Sequence, residues 1–157
     1  MAQHNGAVPP GRRRDAFGIH SIGEFVLEVP ALQDAERFYG AFGLEVVPEG
    51  NDLALRTRGH AHRWGRIVEG PRKHLRHVSF HCFGEDRERF GAHLRRQGIA
   101  TVTPPRGFEG DGLWFNDPDG LLLEVRAGVK TSPDAKAGIA GPLDTEGVRC
   151  APYRRMA

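Results

Sequence analysis

The chain has 157 residues, enough for one domain with a sizeable core and too few for two ordinary ones. Its net charge of +2, with Arg12, Arg13 and Arg14 as the only basic run, gives no sign of a nucleic-acid or membrane partner. No apolar stretch approaches the roughly 20 residues that span a bilayer, the N-terminus lacks the apolar core of a secretory signal, and Cys82 and Cys150 make neither a disulfide framework nor a metal pair, so a cytoplasmic protein is expected.

Residues 1–17, rich in Gly, Pro and Arg without periodicity, are expected to form a mobile tail. A strand is predicted over Glu24–Val29 and a helix over Leu32–Phe42, where Ala35, Phe38 and Phe42 recur at helical spacing after Ala31. Gly43 stops that helix, and short strands are predicted at Leu44–Val47, Leu53–Thr57 and Trp64–Glu69. The pattern then restarts: a strand over His77–Phe83, a helix from about Glu85 to Gln97 stopped by Gly98, and strands at Ile99–Thr103, Leu113–Asn116 and Leu121–Arg126. Glu36-Arg37-Phe38 and Glu88-Arg89-Phe90 fall at matching places in the two helices. The expected fold is therefore α+β, with two tandem βαβββ modules at about 18–72 and 73–128 forming a cupped, partly open sheet, and a linker-like tail over 129–157.

The repeat implies a site. Glu24 and His77 each open the first strand of a module, while Gly70 and Gly128 close the modules and so align Arg66 with Glu124 on the last strands. A pseudo-twofold axis would gather these four around one cleft. Glu124 follows a tight turn, Asn116-Asp117-Pro118-Asp119-Gly120, and lies inside an apolar run, where a carboxylate needs a neutralising partner. Two readings follow from the residue types. Glu24, His77 and Glu124 suit a divalent ion such as Fe(II), Mn(II) or Zn(II), with positions left open for substrate or dioxygen. Alternatively Arg66 pairs with Glu24 or Glu124 and fills the cleft with a salt bridge. His81 shares the alternation of His77, His62 lies in a predicted hairpin loop with His60, and Trp114 precedes the turn where it could touch a substrate.

The stretches from Glu24 to Leu32, from Glu36 to Tyr39, from His77 to Phe80, and Asp117-Pro118-Asp119-Gly120 with Glu124 resemble the vicinal oxygen chelate superfamily. That group includes glyoxalase I, fosfomycin and bleomycin resistance proteins, and extradiol ring-cleaving dioxygenases. The resemblance covers residues 18–128 and implies metal-ligand positions at Glu24, where the dioxygenases usually carry His, and at His77 and Glu124. Glyoxalase I uses a fourth ligand near position 66, which Arg66 cannot supply because it stays protonated. From Lys130 to Arg155 the chain resembles the connector of two-domain extradiol dioxygenases, in which the first domain is usually the structural partner and the second holds the iron. In the catalytic domains a tyrosine stands about where Trp114 stands here. The resemblance thus implies a divalent-metal-dependent, dioxygenase-like protein acting on a small catechol-like or vicinal-oxygen substrate. Fe(II) is the expected metal, with His62 or His81 as a proton carrier and Arg66 and Trp114 in the substrate pocket. Its alternative is a non-catalytic binding or structural domain whose cleft Arg66 fills. A homodimer or a partner dioxygenase domain is the expected assembly.

Overall fold

In the computed structural model, which describes residues 16–130, the first strand starts well before Glu24. The elements are β1 (Ile19–Val29), α1 (Leu32–Phe42), β2 (Glu45–Glu49), β3 (Asp52–Arg56), β4 (Arg63–Glu69), β5 (His74–Cys82), α2 (Gly84–Arg96), β6 (Leu113–Asn116) and β7 (Leu122–Ala127). The α+β expectation holds, with seven strands in one sheet ordered β2-β3-β4-β1-β5-β7-β6. No helix among the described residues is long and apolar enough to cross a membrane.

Local signals set several boundaries. Gly43 ends α1 in the left-handed region at φ 104°, and its N–H donates to the Gly40 carbonyl. In the turn before β7, Asp117 Oδ1 accepts the N–H groups of Asp119 and Leu121 at 3.0 and 2.8 Å, and Gly120 takes φ 86°.

Two expectations need correction. Ile99–Thr103 is not a strand: one backbone bond, from Val102 N–H to the Trp114 carbonyl at 2.8 Å, holds it beside β6. Pro104 and Pro105 follow at once and have no N–H to extend that ladder. The second module is thus βαββ with an irregular edge. Phe17, assigned to the mobile tail, instead packs edge-on against Phe90 of α2 with ring centres 4.7 Å apart. Residues 1–15 and 131–157, and with them most of both expected tails, lie outside the described residues.

The register carries the pseudo-symmetry. In the antiparallel pair β1–β5, Glu24 faces Ser79 and Val26 faces His77, so a twofold axis between the strands exchanges Glu24 with His77 and Val26 with Ser79. The outer parallel partners match: Val26 faces Arg66 on β4, and Ser79 faces Glu124 on β7. Positions 24, 66, 77 and 124 are therefore equivalent in the predicted pairs.

Strand alternation then divides the sheet into two faces. Phe25 and Leu27 of β1, Leu53 and Leu55 of β3 and Ile67 of β4 pack with Ala35 and Tyr39 of α1 into the main core cluster. Gly65 is needed in that layer, because a Cβ there would lie 2.6 Å from the Phe25 ring. The opposite face carries Glu24, Val26, Arg66, His77, Ser79 and Glu124, a largely polar surface in which all but Arg66 are buried to 5% exposure or less.

Candidate functional site

Four strands and one loop enclose the cleft. Its cavity, about 220 Å³, is lined by Glu24, Arg63, Arg66, Trp114, Glu124 and Arg126 together with the loop 107–111. Gly112 lets that loop close over Glu124, since a Cβ at this position would collide with the Glu124 carboxylate.

Glu24 is bound by an arginine, though not by the one expected. Arg63 Nε donates to Glu24 Oε2 at 2.7 Å, and its Nη1 donates to Glu49 Oε2 at 2.6 Å. Arg56 bonds the other oxygen of Glu49, so Glu24, Arg63, Glu49 and Arg56 form one alternating chain of charge. Burial alone would lower the Arg63 guanidinium, but its two carboxylate partners outweigh burial and hold it above its ordinary value. The bond from Arg63 likewise holds the Glu49 carboxyl below the usual range. Arg66, expected against Glu24 or Glu124, pairs instead with Asp52 at 3.3 Å and lies over the Phe108 ring at 5.0 Å.

His77 is the opposite case. It is fully buried, and neither ring nitrogen has a hydrogen-bond partner. Phe108 and Trp114 box the imidazole edge-on, with ring centres 4.5 and 4.9 Å away. Burial pushes the imidazole down to about 4 against the pull of Glu24, with Arg76, Arg66 and Arg126 pushing the same way as burial. His77 is therefore neutral at pH 7. Glu124 accepts a hydrogen bond from the Ser79 hydroxyl and has Arg126 at 3.8 Å. Burial raises the Glu124 carboxyl, and Ser79 and Arg126 only partly oppose it.

The expected proton carriers lie outside the lining of this cavity. His62 Nε2 is bonded to the Gly23 carbonyl at 2.7 Å, and its ring packs on Trp64 at 4.5 Å. His81, buried and lowered by burial with Arg126 and His62 adding to it, accepts from Arg126 Nε at 3.3 Å. Trp114 does line the cavity, and at 1% exposure it is also a core residue.

The residue types of Glu24, His77 and Glu124 are those of a metal site, and His77 has free nitrogens. Even so, no three His, Cys, Asp or Glu side chains among the described residues converge as a metal-holding group. Arg63 engages Glu24, and Ser79 with Arg126 engages Glu124, so these donors do not fit a resident ion as they are arranged.

Arg63 and Phe108 are the functional residues that sequence reasoning missed. The β3–β4 register passes from Leu55–Gly65 to Arg56–Arg63, leaving Trp64 as the extra residue of a bulge. Simple alternation from Arg66 would turn Arg63 towards the helices, whereas the bulge brings it to Glu24. Phe108 lies in a loop with no periodic signal.

Residues 21–125 match the Glyoxalase/Bleomycin resistance protein/Dioxygenase superfamily. Metapyrocatechase 2 of Cupriavidus necator is 40% identical over 136 residues, which cover 87% of this chain and 42% of that protein. Among solved structures, an extradiol ring-cleaving dioxygenase from B. fuscum superposes with a TM-score of 0.60 at 27% identity, covering 71% of this chain and 33% of that one. A Mn(II)-bound glyoxalase from Novosphingobium aromaticivorans gives a TM-score of 0.58 at 21% identity over 70% of this chain and 39% of its own, a likeness of fold. The chain spans less than half the length of each of these relatives.

Proposed function

The chain belongs to the glyoxalase/bleomycin resistance protein/dioxygenase superfamily, and on that premise we propose that it serves extradiol-type cleavage of a small catechol-like substrate as one half of a larger catalytic unit. In such chemistry a divalent ion, Fe(II) in this reading, would be chelated by the substrate's vicinal oxygens and would make their protons more acidic. The ion belongs to a partner domain of the same fold, and the unit works in the cytoplasm. This chain supplies the supporting half. In its own cleft Arg63 rather than an ion answers Glu24.

The observation that carries this reading is the Arg63 bond to Glu24 at 2.7 Å. A guanidinium there takes the neutralising role that an ion would otherwise fill, and it is itself fixed by Glu49 on its far side. One observation favours a second reading, in which this cleft is itself the metal centre: both nitrogens of His77 are buried without partners, and the ring is neutral at pH 7.

A pair of measurements separates the two. Joined to the remainder of metapyrocatechase 2, the chain is expected to restore oxygen uptake with catechol, and that remainder alone is expected to give none. Loaded anaerobically with Fe(II), Mn(II) or Zn(II), the chain by itself is expected to retain far less than one ion per molecule. Near-stoichiometric metal that is lost in His77→Ala, with catechol-dependent oxygen uptake by the chain alone, would move the chemistry into this cleft and overturn the supporting-half reading.

A further inference from the structure

A second cavity adjoins the cleft across Phe108. Its volume of about 560 Å³ falls within the roughly 300–1,000 Å³ typical of small-molecule pockets. Arg66, Arg76 and Arg106 line it with Phe108, and Asp52 and Glu69 are the acids on its wall. Among the described residues only one of these three guanidiniums, Arg66, is paired with a carboxylate, Asp52 at 3.3 Å. Arg76 lies over the Phe108 ring at 5.2 Å, near Arg66 over the same ring at 5.0 Å, and Arg106 is exposed at the rim.

Arg76 and Arg106 form no ion pair among the described residues, since Asp52 answers Arg66 and Glu109 feels Arg106 only through its field; a bound anion relieves the repulsion that remains between the guanidiniums. The backbone delivers one of them deliberately. The β1–β5 register passes from Val26–His77 to Leu27–Leu75, so Arg76 is the extra residue of a bulge. That irregularity brings its side chain to Phe108 rather than along the regular alternation. The positive field is already felt next door, where Arg76 and Arg66 help to press His77 down.

We propose that this cavity is a binding site for a small organic anion, a carboxylate or a phosphate ester, gripped by the guanidiniums of Arg76 and Arg106 with its apolar part against Phe108 and Val68. Planar guanidiniums match either oxyanion with paired hydrogen bonds. Arg66, already paired with Asp52, serves as part of the wall. Phe108 touches both this cavity and His77, so occupancy is transmitted to the buried imidazole through one ring.

The test is calorimetric titration of the full chain with benzoate, phenyl phosphate and the neutral analogue benzamide, followed by the same titrations on an Arg76→Ala, Arg106→Ala double variant. Saturable binding of benzoate or phenyl phosphate is expected, weakened by about tenfold or more in the double variant because charge-assisted bonds are lost. The tighter of the two anions identifies the headgroup. The melting temperature of the variant checks that its fold is retained, and NMR shifts of the Phe108 and His77 rings on titration place the ligand. Benzamide binding as tightly as benzoate would overturn the proposal, as would no saturable anion binding. Anion affinity unchanged in a folded double variant would also overturn it.

Discussion

The two symmetry-related halves of the cleft handle a buried polar residue in opposite ways. Position 24 holds a carboxylate inside a chain of charges, Arg63, Glu49 and Arg56 beyond it, with each member bonded to the next. Position 77 holds an imidazole with no hydrogen bond, closed in by two aromatic rings and kept neutral by desolvation. The same backbone geometry thus supports a fully paired site on one side and an apolar box on the other. Ancestry in a repeat fixes where side chains meet, while the neighbours of each position decide what chemistry they can do.

The contrast is most easily broken on the aromatic side. Trp114→Ala removes a fully buried indole that walls both His77 and the cavity, and should cost about 3–5 kcal/mol in denaturant unfolding. A cost near zero would mean that the box is not packed as described.

The next effect depends on pH. Unfolded, His77 takes up a proton near 6.5; folded, only near 4. Between those values the unfolded chain binds more protons, so stability is full above 6.5 and falls as the pH drops towards 4, by up to about 3 kcal/mol. His81, also lowered, acts with the same sign, whereas the raised carboxyl of Glu124 acts against it. His77→Phe removes one share of the loss, and chemical denaturation at a series of pH values should show its advantage over the parent growing as the pH falls through that window. A parallel pair of curves would mean that His77 titrates normally.

The paired side should yield less. Arg63→Ala leaves the buried Glu24 carboxylate without its partner and should cost about 2–3 kcal/mol, less than a fully buried pair because Arg63 keeps 28% exposure. Adding Glu24→Gln should recover most of that loss if the pair rather than the packing matters, and a double-mutant cycle in urea measures the coupling. Full additivity would show that the bond at 2.7 Å contributes nothing of its own.

Much of this was legible from residue order. α1 falls on Leu32–Phe42 and β6 on Leu113–Asn116 as periodicity and turn residues indicate, and the Asp117–Gly120 turn forms as its chemistry requires. Positions 24, 66, 77 and 124 are equivalent because the repeat is real. Ile99–Thr103 forms no strand although its residue types favour one: Ile99 and Val102 stay exposed rather than packed, and the prolines after them deny the edge a ladder. Arg63, Arg76 and Phe108 carry no periodic signal of their roles. The first two owe their placement to bulges, where one extra residue re-aims a side chain that simple alternation would direct elsewhere.

By itself, then, the amino-acid order determined the doubled α+β layout and the two equivalent pairs, 24 with 77 and 66 with 124, on one face of the sheet, since hydrophobic period and turn residues are local properties of the chain. Which cation answers Glu24, and whether His77 meets a polar partner or an aromatic wall, was decided only in the folded sheet. Arg63 and Glu24 are 39 residues apart, and the one-residue shift that joins them is set by how whole strands pair.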